Sequence, residues 1–137
     1  MGRFLGIDHG NKRVGLALSD PMKIIAKPFK TLTYSNSADL MNALKDIIES
    51  ESVERIVLGL PKGMKGKDTA QTKLVMNFAD KLKSQIDIPI QLIDERLSSV
   101  SAEKALIQQE VKTGYNKGRI DQTAAAIFLQ QYLEHIR

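Results

Sequence analysis

Three acidic residues far apart in the chain, Asp8, Glu95 and Asp121, stand where metal chemistry is possible. Three carboxylates in one place repel each other, and desolvating them is costly unless cations are bound. Mg²⁺ and Mn²⁺ prefer oxygen ligands. Two such ions about 4 Å apart activate water and stabilise the leaving oxygen in a displacement at phosphorus. The three acids therefore predict a metal-dependent site for phosphodiester hydrolysis, with Asp8 as the bridging ligand.

The elements that must position these acids follow from the spacing of apolar residues. Five segments have the composition of strands: 3–8, 13–19, about 23–32 with Pro28 at a sheet edge or bulge, 55–60, and 89–93. Four segments have helical periodicity: one capped by Asn36 or Ser37, one from about Thr69, one from Ser98 or Ser99 to about Glu110, and one over about 120–136.

The order of these elements predicts the fold class. A hairpin of the first two strands is antiparallel, whereas alternating strands and helices force right-handed crossovers and parallel pairing. We therefore expect an α/β fold: a mixed five-stranded sheet, with an antiparallel hairpin plus parallel strands and helices on both faces. At 137 residues, the chain is long enough for one such domain, residues 1–137, and too short for two ordinary ones.

This topology is what can bring the three acids together. Asp8 and Glu95 lie at the carboxyl ends of strands, where ligands of open α/β sheets gather. Asp121 begins the last helix, on the stripe that Ala124 and Phe128 turn toward the sheet. An acid at a turn or helix start is often only a cap. We favour that structural role for three other acids: Asp20, Asp39 and Asp94.

Composition excludes several classes of protein. Hydrophobic residues make up 42% of the chain and charged residues 26%, which is typical of a folded globular protein. No apolar stretch approaches the length of a membrane span, and the N-terminus is not a signal peptide, so we expect a cytoplasmic protein that binds no membrane. The chain has no cysteine and only two histidines, which argues against a zinc centre.

Basic residues suggest a polyanionic partner. The net charge of +4 decides little by itself, but lysine and arginine cluster in polar loops and beside the acids. Such side chains hold phosphate backbones independently of sequence, although solvated lysines are the ordinary alternative. The candidates for substrate binding are Lys12, Arg13, Lys62, Lys65, Lys67, Arg96, Lys117 and Arg119. Arg96 is the strongest, because a guanidinium beside Glu95 can orient a carboxylate or bind phosphate.

ATP hydrolysis is a weaker interpretation. The turn after Asp8 is similar to the phosphate-binding hairpin of actin-like and sugar-kinase ATPases, but those proteins need two such domains. The loop "LPKGMKGKDT" lies between a strand and a helix, yet its residues do not match the Walker pattern.

Four motifs in order along nearly the whole chain carry a family resemblance: "GIDHGNKRVGLALSD", "IVLGLP" with "KGMKGKDTAQT", "DERLSSVSAE" and "DQTAAAIFLQQYL". Together they resemble the YqgF/RuvX family. The resemblance implies a ribonuclease H-like fold and a bacterial nuclease that matures the precursor of 16S rRNA. Older descriptions of the family name a Holliday junction resolvase. By motif, the family's acids correspond to Asp8, Glu95 and Asp121.

Two departures from the family's pattern bear on the site. Related resolvases carry an acid on the central strand, whereas "IVLGLP" has none, so Glu95 must serve from the neighbouring strand and Asp94 stays a competing ligand. Position 9, commonly apolar or aromatic, is His9 here. Strand alternation turns His9 away from Asp8, which favours a buried, hydrogen-bonded side chain over a catalytic base.

We therefore expect a Mg²⁺- or Mn²⁺-dependent nuclease that acts on structured RNA in ribosome biogenesis, as a monomer or homodimer, with ribosomal particles as a further candidate partner. Two rivals stay open. One is a Holliday junction resolvase, which needs a dimer to cut two DNA strands symmetrically. The other is a non-catalytic RNA- or ribosome-binding factor that keeps the fold.

Overall fold

A computed structural model describes residues 2–10, 12–61, 67–95 and 118–136, with side chains of the last helix described from Gln122 onward. The elements in chain order are β1 (Arg3–His9), β2 (Arg13–Ser19), β3 (Ala26–Thr33), α1 (Ser37–Ser50), β4 (Val53–Leu60), α2 (Ala70–Gln85), β5 (Ile90–Asp94) and α3 (Gly118–His135). The predicted helix between Ser98 or Ser99 and Glu110 lies outside the described residues. Within the described ranges, no helix combines the length and hydropathy needed to cross a membrane.

The five strands form one mixed sheet in the order β3-β2-β1-β4-β5. Strand β2 pairs antiparallel with both β1 and β3, whereas β4 pairs parallel with β1 and β5. This confirms the predicted architecture of an antiparallel hairpin extended by parallel strands. The order also puts β1 at the centre of the sheet, with β4 between it and β5.

Strand alternation divides the core into two layers. The face toward α1 and α2 buries Leu5 and Ile7 of β1 with Leu58 of β4. The opposite face buries Phe4 and Val57 against α3. Because neighbouring residues of a strand point to opposite faces, consecutive residues of β1 enter different layers. Helices therefore cover both faces of the sheet, as the element order predicts.

Small residues let α3 approach the sheet closely. A Cβ added to Gly6 would lie 3.0 Å from the carbonyl oxygen of Ala125 and 3.1 Å from Cβ of Leu129. Ala124 and Ala125 are fully buried. Helix α3 therefore passes close to the sheet, and this requires a glycine on β1 where the helix backbone passes.

Strand β3 starts later than predicted, at Ala26 rather than near Lys23. The carboxylate of Asp20 explains the difference, because it accepts hydrogen bonds from the backbone N–H groups of Met22, Ile24 and Ile25 at 3.2, 2.7 and 2.9 Å. These bonds fold the preceding residues into a turn. The structural role expected for Asp20 is confirmed, and the register shift on the edge strand between the pairs Ala17–Pro28 and Leu16–Lys30 confirms the predicted bulge.

Helix α2 begins at a capping box that also fixes the end of β4. Thr69 accepts a hydrogen bond from the backbone N–H of Thr72, and the Thr72 side chain accepts one from the backbone N–H of Thr69. The Thr72 hydroxyl donates to the carbonyl of Pro61. The carboxyl end of β4 is thereby tied to the start of the next helix.

Candidate active site

Asp8 lies at the carboxyl end of β1 and is buried, with 7% of its surface exposed. The parallel register with β4 runs from Arg3–Val53 to Ile7–Leu58, so Asp8 and Gly59 each follow the last pair by one residue. Gly6, two residues earlier on β1, faces α3. Alternation therefore places the Asp8 side chain on the α3 face of the sheet.

Glu95 directly follows β5 and is equally buried, at 8% exposed. Its carboxylate lies over Gly59: a Cβ added there would be 2.6 Å from Oε1 of Glu95 and 2.7 Å from the ring of Phe128. Phe128 belongs to α3 and is fully buried. The missing side chain on β4 thus makes room for the Glu95 carboxylate on the same face as Asp8.

The structure brings Asp8 and Glu95 to one edge of one face, on either side of Gly59. Asp94 pairs in register with Leu60, which packs toward α1 and α2, so alternation turns Asp94 away from the α3 face. Of the two neighbouring acids, Glu95 is the one that shares a face with Asp8. Its role as a ligand stays a prediction.

Asp121 belongs to α3, one turn before the buried Ala124 and Ala125 and two turns before Phe128. This spacing puts its backbone on the helix stripe that meets the sheet. Its side chain lies outside the described part of the chain. Among the side chains that are described, no three His, Asp or Glu residues cluster tightly enough to hold a metal ion, so the third ligand stays a prediction.

His9 occupies the opposite face of the sheet, as alternation predicts. Its ring stacks on Phe78 of α2, with centroids 4.3 Å apart and planes inclined by 26°. Its Nε2 lies 3.2 Å from the hydroxyl of Tyr34. Burial, with a smaller contribution from the charge of Lys81, lowers the pKa of His9 to about 4. The imidazole is therefore neutral near pH 7 and faces away from the two carboxylates.

The hydrogen bonds assign the tautomer of His9. The Tyr34 hydroxyl donates its one proton to the carbonyl of Gly10 at 2.9 Å, so Nε2 of His9 must donate to the hydroxyl oxygen. Nδ1 is buried and has no hydrogen-bond partner among the described residues. A ring held this way on the far face cannot reach a substrate bound over Asp8.

The predicted substrate-binding cations are only partly described. Lys12 lies in the turn between β1 and β2, and Arg13 is the first residue of β2. Both are at the same end of the sheet as Asp8. Lys67 is exposed and lies just before the cap of α2. Four of the predicted cations lie outside the described residues: Lys62, Lys65, Arg96 and Lys117. Of Arg119, only the backbone is described.

Sequence reasoning missed Gly59 and Tyr34. A glycine within an otherwise apolar central strand is a signal for close approach of another group, and "IVLGLP" contains one. No comparable signal marks Tyr34, because it follows the edge strand and reaches β1 only through the folded sheet.

Comparison with known proteins identifies the family. A family model described as RuvX, Holliday junction resolvase, matches residues 2–135. The chain belongs to the RuvX family. Two RuvX relatives are each named "Putative pre-16S rRNA nuclease". The one from Desulforamulus reducens is 46% identical over 132 residues, 96% of both chains. The one from Maridesulfovibrio salexigens is 44% identical over 131 residues, 96% of this chain and 97% of the relative.

Solved structures similar to this RuvX chain share its fold. RuvC of Thermus thermophilus in complex with a Holliday junction substrate has a TM-score of 0.62 at 12% identity, covering 99% of this chain and 96% of that one. The fowlpox virus resolvase bound to Holliday junction DNA has a TM-score of 0.52 at 11% identity, covering 98% of both chains. The fold is ribonuclease H-like, which confirms the predicted fold class.

Proposed function

We propose that this RuvX protein is a divalent-metal-dependent nuclease that hydrolyses phosphodiester bonds in structured RNA, with the precursor of 16S rRNA as its substrate. The observation that carries the proposal is the pair of buried carboxylates, Asp8 and Glu95, on one face at the carboxyl edge of the sheet, around the side-chain-free position of Gly59. The names of the relatives supply the substrate.

The donor set fits a hard divalent cation. Two carboxylates buried on one face are costly to keep charged unless a cation compensates them, and oxygen atoms are the ligands that Mg²⁺ and Mn²⁺ prefer. Asp8 and Glu95 would hold the metal, with Asp121 as the third ligand. A bound divalent ion supplies an activated water and stabilises the leaving oxygen at phosphorus.

The residues around the proposed metal position the ion and shape its surroundings. Asp8 and Glu95 supply negative charge and fixed oxygen positions, and Gly59 keeps the space between their strands open. Phe128 forms an apolar wall beside Glu95 that strengthens the electrostatics there by excluding water. His9 takes no part as a base, because its ring is stacked on Phe78 behind the sheet. The chemistry needs no protein nucleophile.

Basic side chains around the same edge would hold the RNA backbone. Lys12, Arg13 and Lys67 lie at the carboxyl end of β1 and β4. Contacts of this kind position a substrate without reading its sequence and weaken with salt. We extend the proposal to the cations predicted from sequence alone: Lys62, Lys65, Arg96, Lys117 and Arg119. We further propose that the protein acts in the cytoplasm, as a monomer or homodimer, on RNA alone or within ribosomal particles.

A second candidate function is cleavage of DNA junctions. Two findings favour it: the RuvX family model is described as a Holliday junction resolvase, and RuvC bound to such a junction shares the fold. Symmetric cutting of two strands would need two copies of the site, and hence a dimer.

One experiment separates these functions. Purified full-length protein is incubated with precursor 16S rRNA and with a four-way DNA junction, with and without Mn²⁺, beside Asp8→Asn and Asp20→Asn. The proposal predicts Mn²⁺-dependent RNA cleavage that Asp8→Asn loses and Asp20→Asn keeps. Preferential junction cutting would favour the resolvase. Rescue of a depleted strain by Asp8→Asn would favour a binding factor without catalysis.

Glu95 and Asp94 are distinguished in the same assay. Glu95→Gln is expected to lose cleavage and Asp94→Asn to keep it, because only Glu95 shares the face of Asp8. The reverse result would assign the second ligand to Asp94.

A further inference from the structure

Side chains on the face opposite to Asp8 bind the backbone at the carboxyl end of β1. Pairing with β4 extends to Ile7–Leu58, one residue short of Asp8, and pairing with β2 extends to His9–Val14. The parallel neighbour therefore ends its register just before the carboxylate. Strand pairing holds the Asp8 end of β1 only on its β2 side, where Gly10 N–H also donates to the carbonyl of Arg13 at 2.8 Å, so side-chain contacts add the support that β4 does not give.

Those contacts come from Tyr34 and Gln71. The Tyr34 hydroxyl donates to the carbonyl of Gly10 at 2.9 Å and accepts from Nε2 of His9 at 3.2 Å. The side-chain amide of Gln71, in the first turn of α2, donates to the carbonyl of His9 at 3.2 Å. Both carbonyls that follow Asp8 are thus bound by side chains from other elements.

Tyr34 is itself fixed in place. Its backbone N–H donates to the carbonyl of Lys12 at 3.3 Å, and its half-buried ring packs against the core layer formed with α1 and α2. The hydroxyl therefore reaches His9 and Gly10 from a side chain that is packed against the core and whose backbone is bound to Lys12. A group anchored this way can fix the direction of a strand end that it does not pair with.

We propose that Tyr34 is a positioning residue for Asp8: with Gln71, it fixes the backbone of His9 and Gly10 so that the Asp8 carboxylate faces Glu95. This inference rests on the proposed metal-dependent nuclease function. His9 then contributes to the same positioning, because its Nε2–H donates a hydrogen bond to the Tyr34 hydroxyl. Partners behind a ligand typically change metal affinity about 10- to 100-fold when removed.

The chain offers a matched control for losing a tyrosine hydroxyl. Tyr132 of α3 is buried, and its hydroxyl accepts a hydrogen bond from Arg55 at 2.7 Å. Arg55 pairs in register with Phe4, near the start of β1 and so far from Asp8 along the strand. Tyr132→Phe therefore removes a comparable hydrogen bond from the same sheet without touching the end that carries Asp8.

The test compares full-length wild type, Tyr34→Phe, Gln71→Met, Tyr132→Phe and Asp8→Asn. Mn²⁺ binding is measured without RNA by electron paramagnetic resonance of the free ion, and cleavage is titrated against Mn²⁺ and against RNA. We expect Tyr34→Phe and Gln71→Met each to weaken Mn²⁺ binding and raise the half-saturating Mn²⁺ concentration about 10-fold. KM for RNA should change less than about twofold. Tyr132→Phe should match the wild type.

Two outcomes overturn the inference in distinguishable ways. If Tyr34→Phe and Gln71→Met bind Mn²⁺ like the wild type while Asp8→Asn does not, the positioning role is wrong and the proposed nuclease stands. If the wild type itself neither binds Mn²⁺ nor cleaves RNA, the proposed function fails and the inference falls with it.

Discussion

The two faces of the sheet at the end of β1 carry opposite chemistry on neighbouring residues. On the α3 face, Asp8 and Glu95 are buried beside Gly59. On the face toward α1 and α2, His9 is stacked on Phe78 and bound by Tyr34. One face concentrates negative charge, whereas the other keeps an ionisable ring neutral, because burial lowers the pKa of His9 to about 4.

Strand register therefore decides which ionisable group belongs to the candidate site. Asp8 and His9 are one residue apart, yet the backbone of the sheet lies between their side chains. A histidine next to a catalytic acid in sequence is tempting as a general base. Its hydrogen bond to Tyr34 and its stacking on Phe78 instead hold it on the opposite face of the sheet.

The largest expected effect lies on the acidic face. Asp8→Asn keeps the size of the side chain and removes its charge, so we expect Mn²⁺-dependent cleavage of precursor rRNA to fall by on the order of 10²- to 10³-fold or more, as for loss of one electrostatic group in a site. Single-turnover kinetics measure the rate, and circular dichroism checks the fold. A folded variant with an unchanged cleavage rate would show that Asp8 is not part of the active site and that the two faces do not differ in function.

Gly59→Ala tests whether the absence of a side chain at this position of β4 is needed to accommodate the Glu95 carboxylate. The added Cβ would meet Glu95 Oε1 at 2.6 Å and the ring of Phe128 at 2.7 Å. Overpacking of this kind costs about 1–3 kcal/mol in the free energy of unfolding, measured by urea denaturation. Because the carboxylate must also move, we expect cleavage per folded molecule to fall at least about 10-fold.

Gly6→Ala is the matched control. Its Cβ would be 3.0 Å from the carbonyl of Ala125 and 3.1 Å from Leu129, so it also overpacks α3, but without touching an acid. We expect a similar loss of stability with cleavage per folded molecule unchanged. Equal losses of cleavage in both variants would make Gly59 a packing residue only.

Phe78→Leu tests the opposite face. Phe78 is buried and supplies the ring on which His9 stacks. Replacing it with leucine keeps an apolar side chain but loses the ring contact, which we expect to cost about 1–2 kcal/mol of unfolding free energy in urea titrations. The cleavage rate per folded molecule should fall less in Phe78→Leu than in Gly59→Ala. A loss as large as that of Asp8→Asn would place the His9 face within the catalytic machinery.

The smallest effect belongs to Asp20, a carboxylate that accepts hydrogen bonds from backbone N–H groups of the turn after it. Hydrogen bonds from the N–H groups of Ile25 and Ile24 hold the pKa of Asp20 below its ordinary value. A group whose folded-state pKa is depressed adds stability above its unfolded pKa, and this is lost as pH falls through the folded pKa. Wild type should therefore be more stable than Asp20→Asn near pH 7, and the difference should shrink below about pH 4.

Urea denaturation at several pH values measures this difference. Cleavage of RNA by Asp20→Asn should equal that of the wild type. A stability difference that stays constant down to pH 2 would show that the Asp20 carboxylate is not held by those N–H donors in solution.

Much of the fold was predictable because local pattern and topology agree. The apolar runs of β1 and β4, the helical periodicity of α1 and α2 and the alternation of elements suffice to predict a mixed sheet with parallel crossovers. The start of β3 was not predictable, because it depends on three backbone hydrogen bonds to one carboxylate, Asp20. Propensity alone does not register such bonds.

The site was predictable only as far as strand ends reveal it. Asp8 lies at the end of one apolar strand and Glu95 directly after another, and the carboxyl edge of a parallel sheet brings such residues together. The choice between Glu95 and Asp94 needs the register Leu60–Asp94, which a sequence does not contain. Tyr34 and Gln71 approach Asp8 through contacts 24 and 62 residues apart in the chain, beyond the reach of any local pattern.

The most direct measurement is anomalous X-ray diffraction from crystals of the full-length protein grown with Mn²⁺. We expect an anomalous peak within about 2.5 Å of a carboxylate oxygen of both Asp8 and Glu95, and its loss in crystals of Asp8→Asn. Active protein whose Mn²⁺ binds elsewhere, with both of these carboxylates free of metal, would contradict this expectation.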